Sequence, residues 1–282
     1  MFRLLNIEFH KLKHNRASKV LILTYFILLT SIALIAAIKF DIGPIKFHLA
    51  EMGIFNFPYI WHLSTWLSAT MKFFLLLVIV SMMANEYSNK TLKQNLIDGL
   101  SKKEFILSKF YTVVVFAAVS TIFVFIVSLI LGLIYSDFNE PSIIFSDLEY
   151  LLAFFVKLVG FFSFGLFLGI LIKRSAFAVG AMLVWAMIEG IVKGLFYWKF
   201  NENPMESSDI TTNIMQFFPL EAIANLIKEP FTRFSAVKSL ASQVGEDLSK
   251  DFSVHLTDII IVSVWTFIFI YLSYRLLKRR DL

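Results

Sequence analysis

Residues 73–135 read FFLLLVIVSMMA (73–84), NEYSNKTLKQNLIDGLSKKEFILSK (85–109) and FYTVVVFAAVSTIFVFIVSLILGLIY (110–135). Two runs without a charged residue flank an island crowded with charge. The second run exceeds the ~20 residues a helix needs to cross a bilayer. It is apolar on every side, whereas a helix on the surface of a soluble bundle keeps one polar face. The stretch therefore places helices in lipid and the island at its edge.

The same pattern recurs along the chain. Six spans are expected, at 19–38, 61–84, 110–135, 148–172, 176–198 and 257–277. The sequence is 58% hydrophobic and only 17% charged, below the roughly one quarter usual in soluble domains. Its mean hydropathy is +0.74. These features predict an all-α polytopic membrane protein built as one transmembrane domain over 1–282. The first run is too long, and starts too far in, for a cleaved signal peptide.

There is no cysteine, which excludes disulfides and thiolate metal sites. The basic balance, with a pI near 9.2, reflects orientation in a membrane and not nucleic-acid binding. With the N-terminus inside, the cytoplasmic segments collect Arg3, Lys11, Lys13, Arg16, Lys19, Lys90, Lys93, Lys102, Lys103, Lys109, Lys173, Arg174, Arg275, Lys278, Arg279 and Arg280. The longer outer segments hold only Lys39, Lys46, Lys199, Lys228, Arg233, Lys238 and Lys250. This asymmetry is the positive-inside rule, and an even number of spans returns the C-terminus to the cytoplasm. The loop SDFNEPSIIFSDLEY adds Asp137, Glu140, Asp147 and Glu149 on the outside without a base.

Residues 1–18 predict a helix in the membrane interface. Phe2, Leu5, Phe9 and Leu12 form an apolar stripe opposed by Arg3, His10, Lys13 and His14, which suits anionic lipid headgroups. Residues 199–256 form the one large outer loop. Within it NENPMESSDITTN reads as turn and linker. PLEAIANLIKEP reads as a short helix opened by Pro219 and stopped by Pro230, with Ile223, Leu226 and Ile227 on its inner face. SAVKSLASQV reads as a second short helix.

Motifs for chemistry are missing. The sequence holds no G-x-x-x-x-G-K-[ST], no H-E-x-x-H and no G-x-S-x-G. Its five histidines lack metal-ligand spacing. No catalytic or metal residue is expected, and the chain reads as a non-enzyme.

In the island, Leu92, Leu96 and Leu100 repeat every four residues, the period of an amphipathic helix. Gly99 closes that helix. Ser101 followed by Glu104 then forms a capping box for a helix that runs into the third span. Pattern alone fits a solvated surface loop or a platform for a cytoplasmic partner. The island also resembles the signature of the ABC-2-type transporter permeases, the membrane subunits of ATP-driven exporters. Glu86, Thr91, Leu92, Leu96, Gly99, Ser101, Lys102 or Lys103, and Lys109 stand in the order of that signature. Lys90 stands where the family has Gly, Gly99 where it usually has Pro, and Lys where it has Arg. The opening IEFHKLKHNR is similar to the family's Glu-plus-basic helix through Glu8, Lys11, Lys13 and Arg16. The resemblance implies a permease in a bacterial cytoplasmic membrane, dimeric with a second copy or a sister chain. Its partner would be a separate ATPase subunit that holds the ATP and Mg, with no cofactor on this chain. Residues 85–109 would couple the two, and the short outer helices would cap the exit. A self-contained ion-driven transporter or channel, a membrane scaffold and an intramembrane enzyme are the competing readings. Inverted repeats or broken helices would mark the first of these, and the sequence displays neither.

Four charges lie inside expected spans: Lys72, Lys157, Glu189 and Lys193. Such groups face the protein interior, pair, or reach for headgroups. Glu189 and Lys193 have the i,i+4 order that favours a pair, while Lys157 and Lys72 are long enough to snorkel. Alternatively, Lys72 and Lys157 line a substrate path for an anionic or zwitterionic headgroup. Gly165/Gly169, Gly190/Gly194 and Ala176/Gly180 place small residues four apart, a spacing that allows close helix approach in lipid.

Overall fold

The computed structural model describes residues 2–38, 40–42, 45–47, 53–200, 209–233 and 251–280. Its helices are α1 (Phe2–His14), α2 (Arg16–Ala37), α3 (Tyr59–Thr70), α4 (Lys72–Ser88), α5 (Thr91–Ile97), α6 (Lys102–Tyr135), α7 (Pro141–Ile144), α8 (Glu149–Ile172), α9 (Ser175–Phe200), α10 (Asp209–Met215), α11 (Pro219–Asn225) and α12 (Leu256–Arg279). A 3-10 turn covers Phe231–Arg233. Among the described residues the one departure from an all-helical plan is a small antiparallel hairpin, β1 (Phe40–Ile42) against β2 (Ile45–Phe47), with Phe40 opposite Phe47.

Among the described residues five helices are long and apolar enough to cross a membrane: α2, α6, α8 with its approach through α7, α9 and α12. The pair α3 and α4 supplies a sixth crossing if taken together. The chain is a helical, multi-pass membrane protein. Its outer surface agrees, because Val20, Leu23, Ile27 and Leu34 on α2, and Ile122, Ile126, Ile130 and Leu133 on α6, are exposed in apolar stripes. In water such contiguous apolar surface would drive aggregation; in a bilayer it faces acyl chains.

Helix α8 is the hub. In its most apolar window 72% of residues are buried, against 11% to 33% in the other candidate spans. It packs on α12, α4, α6, α9 and α3. Glycines set the approach: a Cβ on Gly165 would strike Leu76 of α4, and one on Gly160 would come within 2.7 Å of Val262 of α12. Phe164 stacks on Phe269 at 4.7 Å between ring centres, closing the α8–α12 seam.

The second span is not one helix. It breaks at Met71 and bends by 45°. No Pro or Gly stands there; hydroxyl groups do the work. Thr65 donates to the carbonyl of Trp61 at 2.7 Å and Thr70 to that of Leu67 at 2.6 Å. Met71 N–H then bonds Ser68 O, three residues back, in place of the usual four. Ser and Thr hydroxyls that compete for helix carbonyls bend helices in this way.

The linker expectation over 201–213 needs correction at its end, since Asp209–Met215 forms α10 and buries Thr211 and Met215. The expected helix over PLEAIANLIKEP is present as α11 but ends at Asn225, short of Pro230; Ile223 is buried on it, and Leu226 and Ile227 are buried just past its end. The segment SAVKSLASQV lies outside the described residues.

Candidate functional site

The two motif segments meet at the end of the bundle that carries α1 and the last turn of α12. Lys109, in the second turn of α6, is fully buried. Its ammonium donates to Glu8 Oε2 of α1 and Glu86 Oε1 of α4, both at 2.6 Å. Lys11 donates to the same Glu86 oxygen at 2.7 Å. The other Glu86 oxygen accepts from Thr91 at 2.6 Å and Asn95 at 3.2 Å. Ser108 completes Glu8 at 3.3 Å. Charges alternate along the chain Glu8, Lys109, Glu86, Lys11, so the cluster is neutral overall. A buried ion group of this kind is tolerable only when its hydrogen bonds are filled, and Glu86 here accepts four.

Local sequence explains why these groups converge. Glu8 lies on the buried line Leu4, Glu8, Leu12 of α1. The face on the protein is rotated from the expected interface stripe, sharing Leu12 with it; Phe9 keeps 38% exposure while touching Phe116 edge-on. Arg16 also moves. It opens α2, because Asn15 is extended (φ −88°, ψ 112°) and caps that helix through Ser18 N–H. Lys13 is exposed and takes no part in the cluster.

The island itself is a helix, a turn and a helix start. Lys90, before α5, has φ +57°, the left-handed conformation glycine adopts without strain. Leu92 is buried under the helix. After Asp98, Gly99 takes φ +95°, and the bonds Gly99 N–H to Leu96 O and Leu100 N–H to Asn95 O form a Schellman closure. Leu100 is therefore not a third rung of the amphipathic helix but the residue that seals its end. Ser101 and Glu104 make the expected capping box of α6. Ile97, 68% exposed, stands at the tip with the exposed Lys93 and Lys103.

Lys102 behaves differently from Lys103. Its ammonium reaches the carbonyls of Arg280 at 2.9 Å and Lys278 at 3.4 Å, at the end of α12. Arg280 in turn donates to Ile170 O at 2.6 Å, Leu171 O at 3.0 Å and the Tyr87 hydroxyl at 2.9 Å. These contacts of Arg280 and Tyr87 were not legible in the sequence, because partners far apart in the chain carry no local pattern.

The four intramembrane charges lie away from this cluster, and three of them converge on one short segment. Glu189 does not pair with Lys193. Its carboxylate accepts from the backbone N–H groups of Leu220 (3.2 Å) and Glu221 (2.9 Å) and from the Trp185 indole. Lys193 pairs with Glu221 at 2.6 Å. Lys157 does not snorkel; it is buried and donates to Ala224 O at 3.0 Å and Ile227 O at 3.5 Å. Glu189 and Lys157 thus meet backbone groups at the two ends of α11, and Lys193 meets a side chain of the same helix. Lys72 sits at the break between α3 and α4, with its ammonium 4.6 Å from the Phe161 ring centre. Among the described residues no three His, Cys, Asp or Glu side chains gather as a metal site.

Compared with known families, residues 56–282 match the profile described as protein of unknown function (DUF2705). The chain belongs to that family. No curated protein matches it.

Proposed function

We propose that this member of the DUF2705 family is the permease subunit of an ATP-driven exporter, coupled through residues 85–109 to a separate ATPase chain. One observation carries the reading. Glu8, Lys11, Glu86, Thr91 and Lys109, positions of the ABC-2-type resemblance drawn from separate stretches of sequence, meet in a single buried cluster. That cluster fixes α5 against α1, α4 and α6 and turns Ile97, Lys93 and Lys103 outward. A rigid, exposed helix tip on a buried ionic base is suited to receive a push from a partner and pass it to the spans. The basic residues gathered around it support the reading that this end and both termini face the cytoplasm, and the resemblance adds that the membrane is a bacterial inner membrane. ATP and Mg belong to the partner.

A second copy, or a sister permease, is part of the reading. The stripe Ala176, Gly180, Gly190 and Gly194 runs along one face of α9, and a Cβ at any of its three glycines meets nothing within 4 Å. Gly165 and Gly169, in contrast, are filled by Leu76 and Met83 of the same chain.

The broken span favours one rival, an ion-driven transporter, since such proteins place ion sites at helix breaks. The break here carries the amine of Lys72 and not carboxylates, an arrangement unsuited to binding Na⁺.

The test is co-purification and transport. Leu96→Pro removes a helix hydrogen bond from α5 at about 3 kcal/mol, and Ile97→Asp or Lys103→Glu alters the tip alone. All three variants should insert normally and lose the ATPase partner. Retained partner and retained ATP-dependent transport in all three would refute the proposal. Ion-driven transport by the purified chain alone would establish the rival.

A further inference from the structure

Three of the four intramembrane charges spend their hydrogen bonds on one fourteen-residue stretch, 217–230. A short helix cannot satisfy its own first N–H groups or last carbonyls. For α11 the spans provide the partners. Glu189 of α9 takes the N–H groups of Leu220 and Glu221, at the positive end of the helix. Lys157 of α8 takes Ala224 O and Ile227 O at the negative end. Lys193 adds its pair with Glu221. Trp265 of α12 donates to Phe217 O at 2.9 Å, and His62 Nε2 lies 2.9 Å from Lys228 O. Ala222, Ile223, Leu226 and Ile227 are each at most 2% exposed.

We infer that Glu189 and Lys157 form a two-ended clasp on α11, and that the clasped segment is a movable closure at the end of the bundle opposite the α5 platform. Glu189 could have paired directly with Lys193, one turn on. Instead Glu189 takes the N-terminal N–H groups of α11, Lys193 takes the Glu221 side chain, and Lys157 takes carbonyls at the other end of the same small helix. Withdrawal of α11 would leave Glu189 and Lys157 buried without these partners, which is strongly unfavourable unless water or a polar ligand enters. The clasp therefore sets how readily the segment leaves its seat, and a withdrawn segment requires water or a polar ligand at Glu189 and Lys157. Packing alone would give an apolar plug that needs no charge. As the outlet of an export path the closure rests on the reading above; as a clasped segment it does not.

The chain's lack of cysteine gives a background-free test. The full chain carrying Ile223→Cys is reconstituted in lipid vesicles, and labelling by a membrane-impermeant maleimide is timed with reagent on both faces. A second reporter, Leu76→Cys, sits fully buried at the α4–α8 seam against Gly165. Introducing Glu189→Gln, which keeps the shape and removes the charge, should speed labelling at 223 about tenfold, as expected for a local opening. Adding Lys157→Met should speed it further, with residue 76 still protected. An unchanged slow rate at 223 in both variants would mean packing holds the segment and would overturn the clasp. A parallel rise at 76 and 223 in Glu189→Gln alone would overturn it as well, by making the charge a general support of the fold. No ATPase or transported molecule enters this readout, so its outcome is independent of the coupling test.

Discussion

Removing the ammonium of Lys109 would leave the carboxylates of Glu8 and Glu86 facing each other where water is excluded. Lys109→Met is expected to lower stability by about 3–5 kcal/mol, the usual cost of stranding buried charge. The triple variant Glu8→Gln, Glu86→Gln, Lys109→Met should recover part of that loss, because no fully buried charge then remains unmatched and Lys11, which loses its carboxylate, is partly exposed. Thermal unfolding in lipid nanodiscs reads both, and a triple variant less stable than the single one would show the network to be worth more than its charges. At this scale the sequence was informative about identity and poor about partners. Glu8, Glu86 and Lys109 stood out by their place in motifs. Their meeting did not, since the links span 101 and 23 positions of chain. Glu189 and Lys193 misled for the opposite reason: a local pairing rule was available, and a distant helix end outcompeted it.

Among the elements, glycines separate two kinds of helix contact. Gly165→Leu should disrupt the α8–α4 seam, where Leu76 already occupies the space, and overpacking of this kind costs about 1–3 kcal/mol. Gly194→Leu meets open space in the chain and should leave the fold's stability unchanged while reducing the mass of the assembly to one copy. Native mass spectrometry from lipid measures the second effect, and an unchanged mass would remove α9 as the contact between copies. Long apolar periodicity made the spans legible, because a bilayer imposes length and composition directly. The bend at Met71 was hidden, since it comes from the hydroxyl groups of Thr65 and Thr70 and not from Pro or Gly. The end of α5 was readable from Gly99, whose positive φ is a residue-specific demand.

Across the whole molecule, the platform and the far end are joined through two continuous bodies. Helix α8 runs from the Arg280 contacts at Ile170 and Leu171 to Lys157, and α12 runs from Lys102's carbonyl contacts to Trp265 on Phe217. Arg280→Ala cuts the tie of α12 to α8 and Tyr87 without touching the exposed tip. It should leave ATPase binding intact and lower transport per ATP hydrolysed, measured in proteoliposomes; equal transport per ATP in the variant and the parent would exclude this route. Lys103→Glu should do the reverse and lose the ATPase first. The same ties also impose an order on manufacture. Glu8 and Glu86 leave the ribosome before Lys109 exists to neutralise them, and Lys102 waits for the last turn of α12. Glu86 meets Lys11 first, its second cation arrives with α6, and the helix tip gains its full support only once α12 is in place. On the proposed reading, a partner that needs the supported tip would bind only chains whose spans are complete, and half-made chains would be kept out of the complex by the timing of their own synthesis.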